Sequence, residues 1–337
     1  MRKIFNLIAS FVLLAGFSAC NKDGSDKPGL PPAPVPTVNY KGLTFISSGN
    51  STVCLAKVGT PDEITLEYST DESQWNPYTL GEKISLADGT FLLFRAGEQK
   101  NLTFSKGSDS YYHFEISGPI SAQGNIMSLL DRDFSTPLST NAFFALFEGC
   151  TSLLSAPELP ATTMAQGCYF RMFAECTGLK SAPELPAEAL AYNCYGRMFK
   201  GCSALTYVPD LPATEMVSYC YNSMFANCTS LKFAPELPAK RLESNCYQHM
   251  FEGCTSLTSA PELPATELVS NCYEFMYKDC RNLRYVIGLF TTEPSEKTTK
   301  DWLSGVAASG TFIKSKKATW DVTGTNGIPE GWKIETW

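Results

Sequence analysis

Cys228-Thr229-Ser230-Leu231-Lys232-Phe233-Ala234-Pro235-Glu236-Leu237-Pro238-Ala239-Lys240-Arg241-Leu242-Glu243-Ser244-Asn245-Cys246-Tyr247-Gln248-His249-Met250-Phe251-Glu252-Gly253 is one unit of a pattern that returns every 26 residues. Cys150, Cys176, Cys202, Cys228, Cys254 and Cys280 mark one column. Cys168, Cys194, Cys220, Cys246 and Cys272 mark a second, offset by 18. Five full copies begin at residues 150, 176, 202, 228 and 254, an incomplete one (141–149) precedes them, and a decayed one (280–290) follows. A fixed period of this size is the mark of stacked supersecondary units with atypical, capping ends.

Comparison between copies shows which positions face inward. Leu153, Leu179, Leu205, Leu231, Leu257 and Leu283 form one apolar column. Leu159, Leu185, Leu211, Leu237, Leu263 and Leu289 form another. In the second half of each unit, Met164, Cys168, Met172 and Cys176 recur every fourth position, with Phe173 widening the stripe, which predicts a short helix. Two prolines in the first half, such as Pro157 and Pro160, exclude helix there. Leu153 to Pro157 is expected to be a short strand, one per unit, building a parallel sheet along one face.

The element Phe173-Ala174-Glu175-Cys176-Thr177-Gly178-Leu179 resembles the BspA-like leucine-rich repeats of bacterial surface proteins. The Ala-Pro-Glu-Leu-Pro-Ala variant with Cys-Tyr-x-x-Met-Phe looks like a subtype found in lipoproteins of gut commensals. The resemblance covers residues 141–290, and the 26-residue unit is longer than the usual one of that family. It implies a curved solenoid and a role in adhesion or host-protein binding. The expected fold class is mixed α and β: an N-terminal antiparallel β-sandwich, a leucine-rich-repeat α/β solenoid and a C-terminal cap.

The chain begins Met1-Arg2-Lys3, continues with an apolar run from Ile4 to Phe17, and reaches Phe17-Ser18-Ala19-Cys20. Residues 1–19 read as a signal peptide, and the last four residues resemble a lipobox, implying lipidation of Cys20. Residues 20–38, ending in Pro31-Pro32-Ala33-Pro34-Val35-Pro36, read as an extended tether. Lys22-Asp23 just after the cysteine resembles an export signal for the outer surface, so the expected location is the outer membrane, facing outward. Membrane contact would be through the lipid alone.

Residues 39–128 carry short alternating runs such as Ile64-Thr65-Leu66-Glu67-Tyr68 and Tyr112-His113-Phe114-Glu115-Ile116, expected to form the sandwich. Residues 129–290 are assigned to the solenoid. Residues 291–337, with Trp302, Trp320 and Trp332, are expected to cap its last rung; a separate carbohydrate-binding module is the rival reading.

Net charge is −7 and no basic cluster appears, which argues against a nucleic-acid partner. The thirteen cysteines could be disulfides, metal ligands or buried thiols. Gaps of 18 and 8, with a His between the columns in one copy alone (His249), fit a metal site poorly, and buried free thiols are favoured. No metal and no cofactor is expected. The acidic column Glu158, Glu184, Asp210, Glu236 and Glu262 could take Ca²⁺ or a basic partner, but reads better as a solvated loop edge.

Binding is expected at positions that vary between copies: Leu154-Ser155, Lys180-Ser181, Thr206-Tyr207, Lys232-Phe233, Thr258-Ser259 and Arg284-Tyr285. An alternating strand would expose one residue of each pair. Lys180, Thr206, Tyr207, Lys232, Phe233, Arg284 and Tyr285 are the candidates, because exposed aromatics mark protein or sugar contacts. Ordinary packing against a neighbouring rung would explain them equally. With only His113 and His249, in different domains, and no catalytic motif, an enzyme is not expected. The first functional expectation is a host or extracellular protein partner. A polysaccharide, taken by an accessory lipoprotein of nutrient uptake, is the second, and a structural role in the envelope the third.

Overall fold

The computed structural model describes residues 42–99 and 102–337. The segments expected to be signal peptide and tether, with Cys20, lie outside the described residues.

The first part is built from nine strands: β1 (Leu43–Ser47), β2 (Ser51–Val58), β3 (Leu66–Ser69), β4 (Asn76–Pro77), β5 (Ile84–Leu86), β6 (Phe91–Ala96), β7 (Ser105–Gly107), β8 (Ser110–Ser117) and β9 (Ile120–Gln123). β5-β2-β8-β7 form one antiparallel sheet. β9-β1-β6-β3-β4 form the antiparallel part of a second. Inward residues of the two sheets meet: the Phe45 ring lies 5.0 Å from Phe114, and Phe94 lies 5.6 Å from Phe114.

This part runs into the repeats without a break in the core. A further strand extends the second sheet: β10 (Leu153–Ser155), from the first full repeat, pairs in parallel with β9. Phe114 donates its N–H to the Leu146 carbonyl at 2.7 Å and stacks on Phe147 at 5.2 Å. The sheet edge and the exposed end of the array thereby cover each other.

Within the repeats the expected helix is absent. Among the described residues there is no α-helix, only a short 3₁₀ turn at Ile126–Leu129. The mixed α/β solenoid is therefore replaced by an array of β character. From residue 167 to residue 176, even-numbered N–H groups (Cys168, Phe170, Met172, Ala174, Cys176) close turns onto the carbonyl three residues back. Odd-numbered ones (Gly167, Tyr169, Arg171, Phe173, Glu175) reach the carbonyl 25 residues ahead, in the next rung, at 2.7–3.0 Å. Every N–H in the segment thus has a partner without any helical bond.

The four-residue period explains the difference. A helix has 3.6 residues per turn, so a strict four-residue repeat would drift about 40° per step around it. A chain of four-residue turns keeps the same face inward indefinitely. Each turn ends in a left-handed residue, at Gly167 (φ 59°), Arg171 (φ 58°) and Glu175 (φ 60°), and the same three places repeat in the later rungs. Asn193, Asn227, Asn245, Asn271 and Asp279 hold several of them. Those residue types tolerate that conformation best after glycine.

The inward pairs build two aromatic columns. Phe147, Phe173, Phe199, Phe225, Phe251 and Tyr277 stack at 5.3–5.7 Å with nearly parallel rings. Phe143, Tyr169, Tyr195, Tyr221, Tyr247 and Tyr273 stack beside them at 5.7–6.1 Å. The twelve described cysteines are buried and unpaired. In one column each thiol donates to a backbone carbonyl, as Cys228 does to that of Phe199, 29 residues earlier, at 3.1 Å.

The continuous parallel sheet is also corrected. Pro183 and Pro186, and their equivalents in each copy, remove ladder donors, so most rungs meet at single bridges such as Ser181 with Tyr207 and Phe233 with Ser259. Regular pairing returns at the far end, where β11 (Glu262–Leu263), β12 (Tyr285–Gly288), β13 (Thr311–Lys314) and β14 (Lys333–Thr336) form a parallel sheet. The turn ladder continues past residue 290, with Tyr273 bonding to Thr298 and Tyr277 to Trp302. Trp302, Trp320 and Trp332 close the end, their indoles bonded to the carbonyls of Gly327, Phe290 and Ala307.

Candidate functional site

Two surfaces stand out, one on each half of the repeat. On the proline-bearing half, the seven candidates Lys180, Thr206, Tyr207, Lys232, Phe233, Arg284 and Tyr285 are all exposed. The expected alternation fails here, because a single bridge does not force one of two neighbours inward, and both members of a pair reach solvent. Backbone bonds join Thr206 to Lys180 at 2.9 Å and Arg284 to Thr258 at 3.1 Å. Tyr207, Phe233 and Tyr285 are 37%, 44% and 39% exposed. Partial burial raises the Tyr207 hydroxyl above its ordinary value, and the carboxylates of Glu184 and Asp210 add to the shift. Those two acids belong to the acidic column, which is exposed at Glu158, Glu184, Asp210 and Glu236. Among the described residues no group of three or more His, Cys, Asp or Glu is placed to hold a metal ion.

The second surface lies over the turns and has no counterpart among the sequence-based candidates. It is an open groove of about 800 Å³ with Tyr192, Tyr219, Arg197, Asn222, Gln248 and His249 among its lining. Along it the outward columns lose bulk. Phe144 and Phe170 stack at 5.5 Å, but the next position is Gly196, where a Cβ would lie 2.9 Å from the Phe170 ring. Asn222 holds that position one rung on, and the small Ser223 falls in the neighbouring outward column, between Arg197 and His249. Bulk returns with Gln248 and His249. The comparison of the two outward columns between copies, where Gly196 sits between Phe170 and Asn222 and Ser223 between Arg197 and His249, was the available signal.

Its polar groups are held in place. Asn222 Nδ2 and Asn245 Nδ2 both donate to Gln248 Oε1, at 2.8 and 3.0 Å, and Gln248 Nε2 donates to Glu274 at 2.5 Å. His249 stacks on Phe275 at 4.7 Å, and its Nδ1 lies 2.6 Å from Glu252. That hydrogen bond, then the charges of His249, Lys278 and Lys200, hold the Glu252 carboxyl below its ordinary range against the opposing effect of burial. Tyr192 and Tyr219 make a tilted pair at 5.5 Å.

Compared with known proteins, the chain matches no family model, no curated protein and no solved structure.

Proposed function

We propose that the chain is a lipid-anchored surface protein that binds a host or other extracellular protein through the ridge carrying Tyr207, Phe233 and Tyr285. The observation that carries this reading is the pairing of exposed aromatics with exposed cations on the same rungs. Lys232 adjoins Phe233, Arg284 adjoins Tyr285, and Lys180 is bonded through its backbone to the rung of Tyr207. Aromatic and cationic side chains are the groups that dominate protein–protein hot spots. The array supplies a rigid base, since each rung is hydrogen-bonded to the next, so little ordering entropy opposes binding. The resemblance to BspA-like surface proteins and the Cys20 motif support the same placement at the cell surface.

The test is an array of extracellular-matrix and host-cell proteins probed with the chain and with Tyr207→Ala/Phe233→Ala. Saturable binding that the double variant loses is expected. Silence across the array while an unrelated adhesin binds, or binding that the variant leaves intact, would remove the proposal. Acyl labelling that disappears in Cys20→Ala tests the anchor separately.

A further inference from the structure

We propose that the groove over the turns binds an acidic polysaccharide, a chain carrying uronate carboxylates. The inference concerns a different surface from the aromatic–cation ridge and stands or falls independently of it.

The shape sets the ligand class. The groove runs along the stacking direction, from Phe170 past Arg197, Ser223 and His249 to Asp279, one residue from each of five successive rungs. An open channel crossing several rungs suits the interior of an extended chain rather than a compact metabolite, which would be largely enclosed.

The lining sets the chemistry. Tyr192 is 46% exposed, and with Tyr219 it offers aromatic surface on one wall. The C–H faces of a pyranose pack on such rings, and the phenol supplies a polar edge. The amides of Asn222 and Gln248 are fixed by rung-to-rung bonds. Each retains donor or acceptor capacity for a hydroxyl, already ordered before binding. A greasy partner would find little apolar area here.

Charge selects among glycans. Arg197, Lys200 and Arg281 line the groove, and among the described residues none has a carboxylate within ion-pair distance. Two carboxylates share the lining, Asp279 and Glu252, and Glu252 is bonded to His249 Nδ1 at 2.6 Å and lies 3.9 Å from Lys278. In a chain of net charge −7, a groove whose cations Arg197, Lys200 and Arg281 outnumber its acids Glu252 and Asp279 is a local reversal of sign. A guanidinium matches a carboxylate with two parallel hydrogen bonds, so a uronate is the sugar unit that fits Arg197 best.

The experiment is affinity electrophoresis of the full chain through gels containing polygalacturonate, alginate or hyaluronate, with methyl-esterified polygalacturonate as the uncharged counterpart. Tyr192→Ala and Arg197→Gln are run alongside Tyr207→Ala/Phe233→Ala, with circular dichroism confirming that each variant is folded. Retardation by at least one acidic polymer is expected. If it is polygalacturonate, the ester should retard about tenfold more weakly; affinity for the retarding polymer should fall about tenfold in each groove variant, one hydrogen-bonded or stacked contact's worth, and not in the ridge variant. No retardation by any acidic polymer, equal retardation by ester and acid, or retardation unchanged in both groove variants would overturn the proposal. Loss of matrix-protein binding in the ridge variant alone would bear only on the ridge.

Discussion

Asn227 lies directly over Gly253 in the next rung: a Cβ on Gly253 would come 2.3 Å from Asn227 Oδ1. The same relation joins Glu175 to Gly201 and Asp279 to Gly305. The column therefore alternates, with Gly149, Gly201, Gly253 and Gly305 separated by Glu175, Asn227 and Asp279. Each glycine is left-handed, with φ between 73° and 79°. At Gly149 nothing lies within 4 Å of the added Cβ, so Gly149→Ala should cost only the backbone strain, about 1–2 kcal/mol. Gly253→Ala should cost about 1 kcal/mol more, because the short Asn227 side chain cannot swing clear. Asn227→Gly in the same chain should recover that excess. Denaturant midpoints of the three variants measure it, and equal costs for Gly149→Ala and Gly253→Ala would refute the interlock.

The alternation was visible in the letters, and so was the strict spacing of four at Met164, Cys168, Met172 and Cys176. The inward columns were legible because identity at a fixed phase needs no knowledge of backbone. The backbone itself was not, since a four-residue turn chain and a helix place the same residues inward over so short a span. What separates them is the left-handed residue closing each turn, and Arg171, His249 and Phe275 give no hint of that conformation. They hold it because bonds on both sides fix it. Aromatics exposed at Tyr207 and Phe233 were legible from variation between copies. The groove had a signal in the letters, small Gly196 and Ser223 among larger residues, but the turn backbone that makes those columns face outward was not legible.

The hydroxyls of Tyr169, Tyr221 and Tyr277 are buried without a hydrogen-bond partner. Leaving a polar group so placed costs on the order of 1–3 kcal/mol, and removing it relieves that cost. Tyr221→Phe keeps the ring stack with Tyr195 and Tyr247 and should be neutral or stabilising. A loss of more than about 1 kcal/mol in equilibrium unfolding would show that the hydroxyl has a partner after all.

Burial pushes the thiols of Cys150, Cys194, Cys254 and Cys272 up to about 12, from an ordinary value of 9.0. The other repeat cysteines shift in the same direction. Above pH 9 the unfolded chain loses these protons while the folded one keeps them. The unfolded state then binds fewer protons, so stability falls as pH rises. Melting temperature should therefore show no thiol-linked loss below pH 9 and should fall steadily from there toward pH 12. A melting temperature that holds level across that window would contradict the shift.

A thiol reagent at about pH 8 should label none of the twelve described cysteines in the folded protein and all of them in denaturant. Rapid labelling of the native chain would contradict the burial.

Phe199 sits mid-column, stacked on Phe173 at 5.5 Å and on Phe225 at 5.7 Å, and its carbonyl accepts the Cys228 thiol. Phe199→Ala removes both stacks and leaves a cavity, a change that costs about 3–5 kcal/mol in a packed core. Rungs of a stacked array are coupled mainly to their neighbours, so the damage should not spread evenly. On one side, Phe147 and Phe173 stay anchored to the sheets through Phe114. On the other, Tyr273 rests against Trp302, and the closing tryptophans hold the end. Each flank keeps its own cap while the joint between them is weakened. Unfolding should then split into two transitions, separable by hydrogen exchange of the amides before and after residue 199. A single transition, displaced but still common to both flanks, would mean that the column couples the whole array and that the caps alone cannot sustain either half.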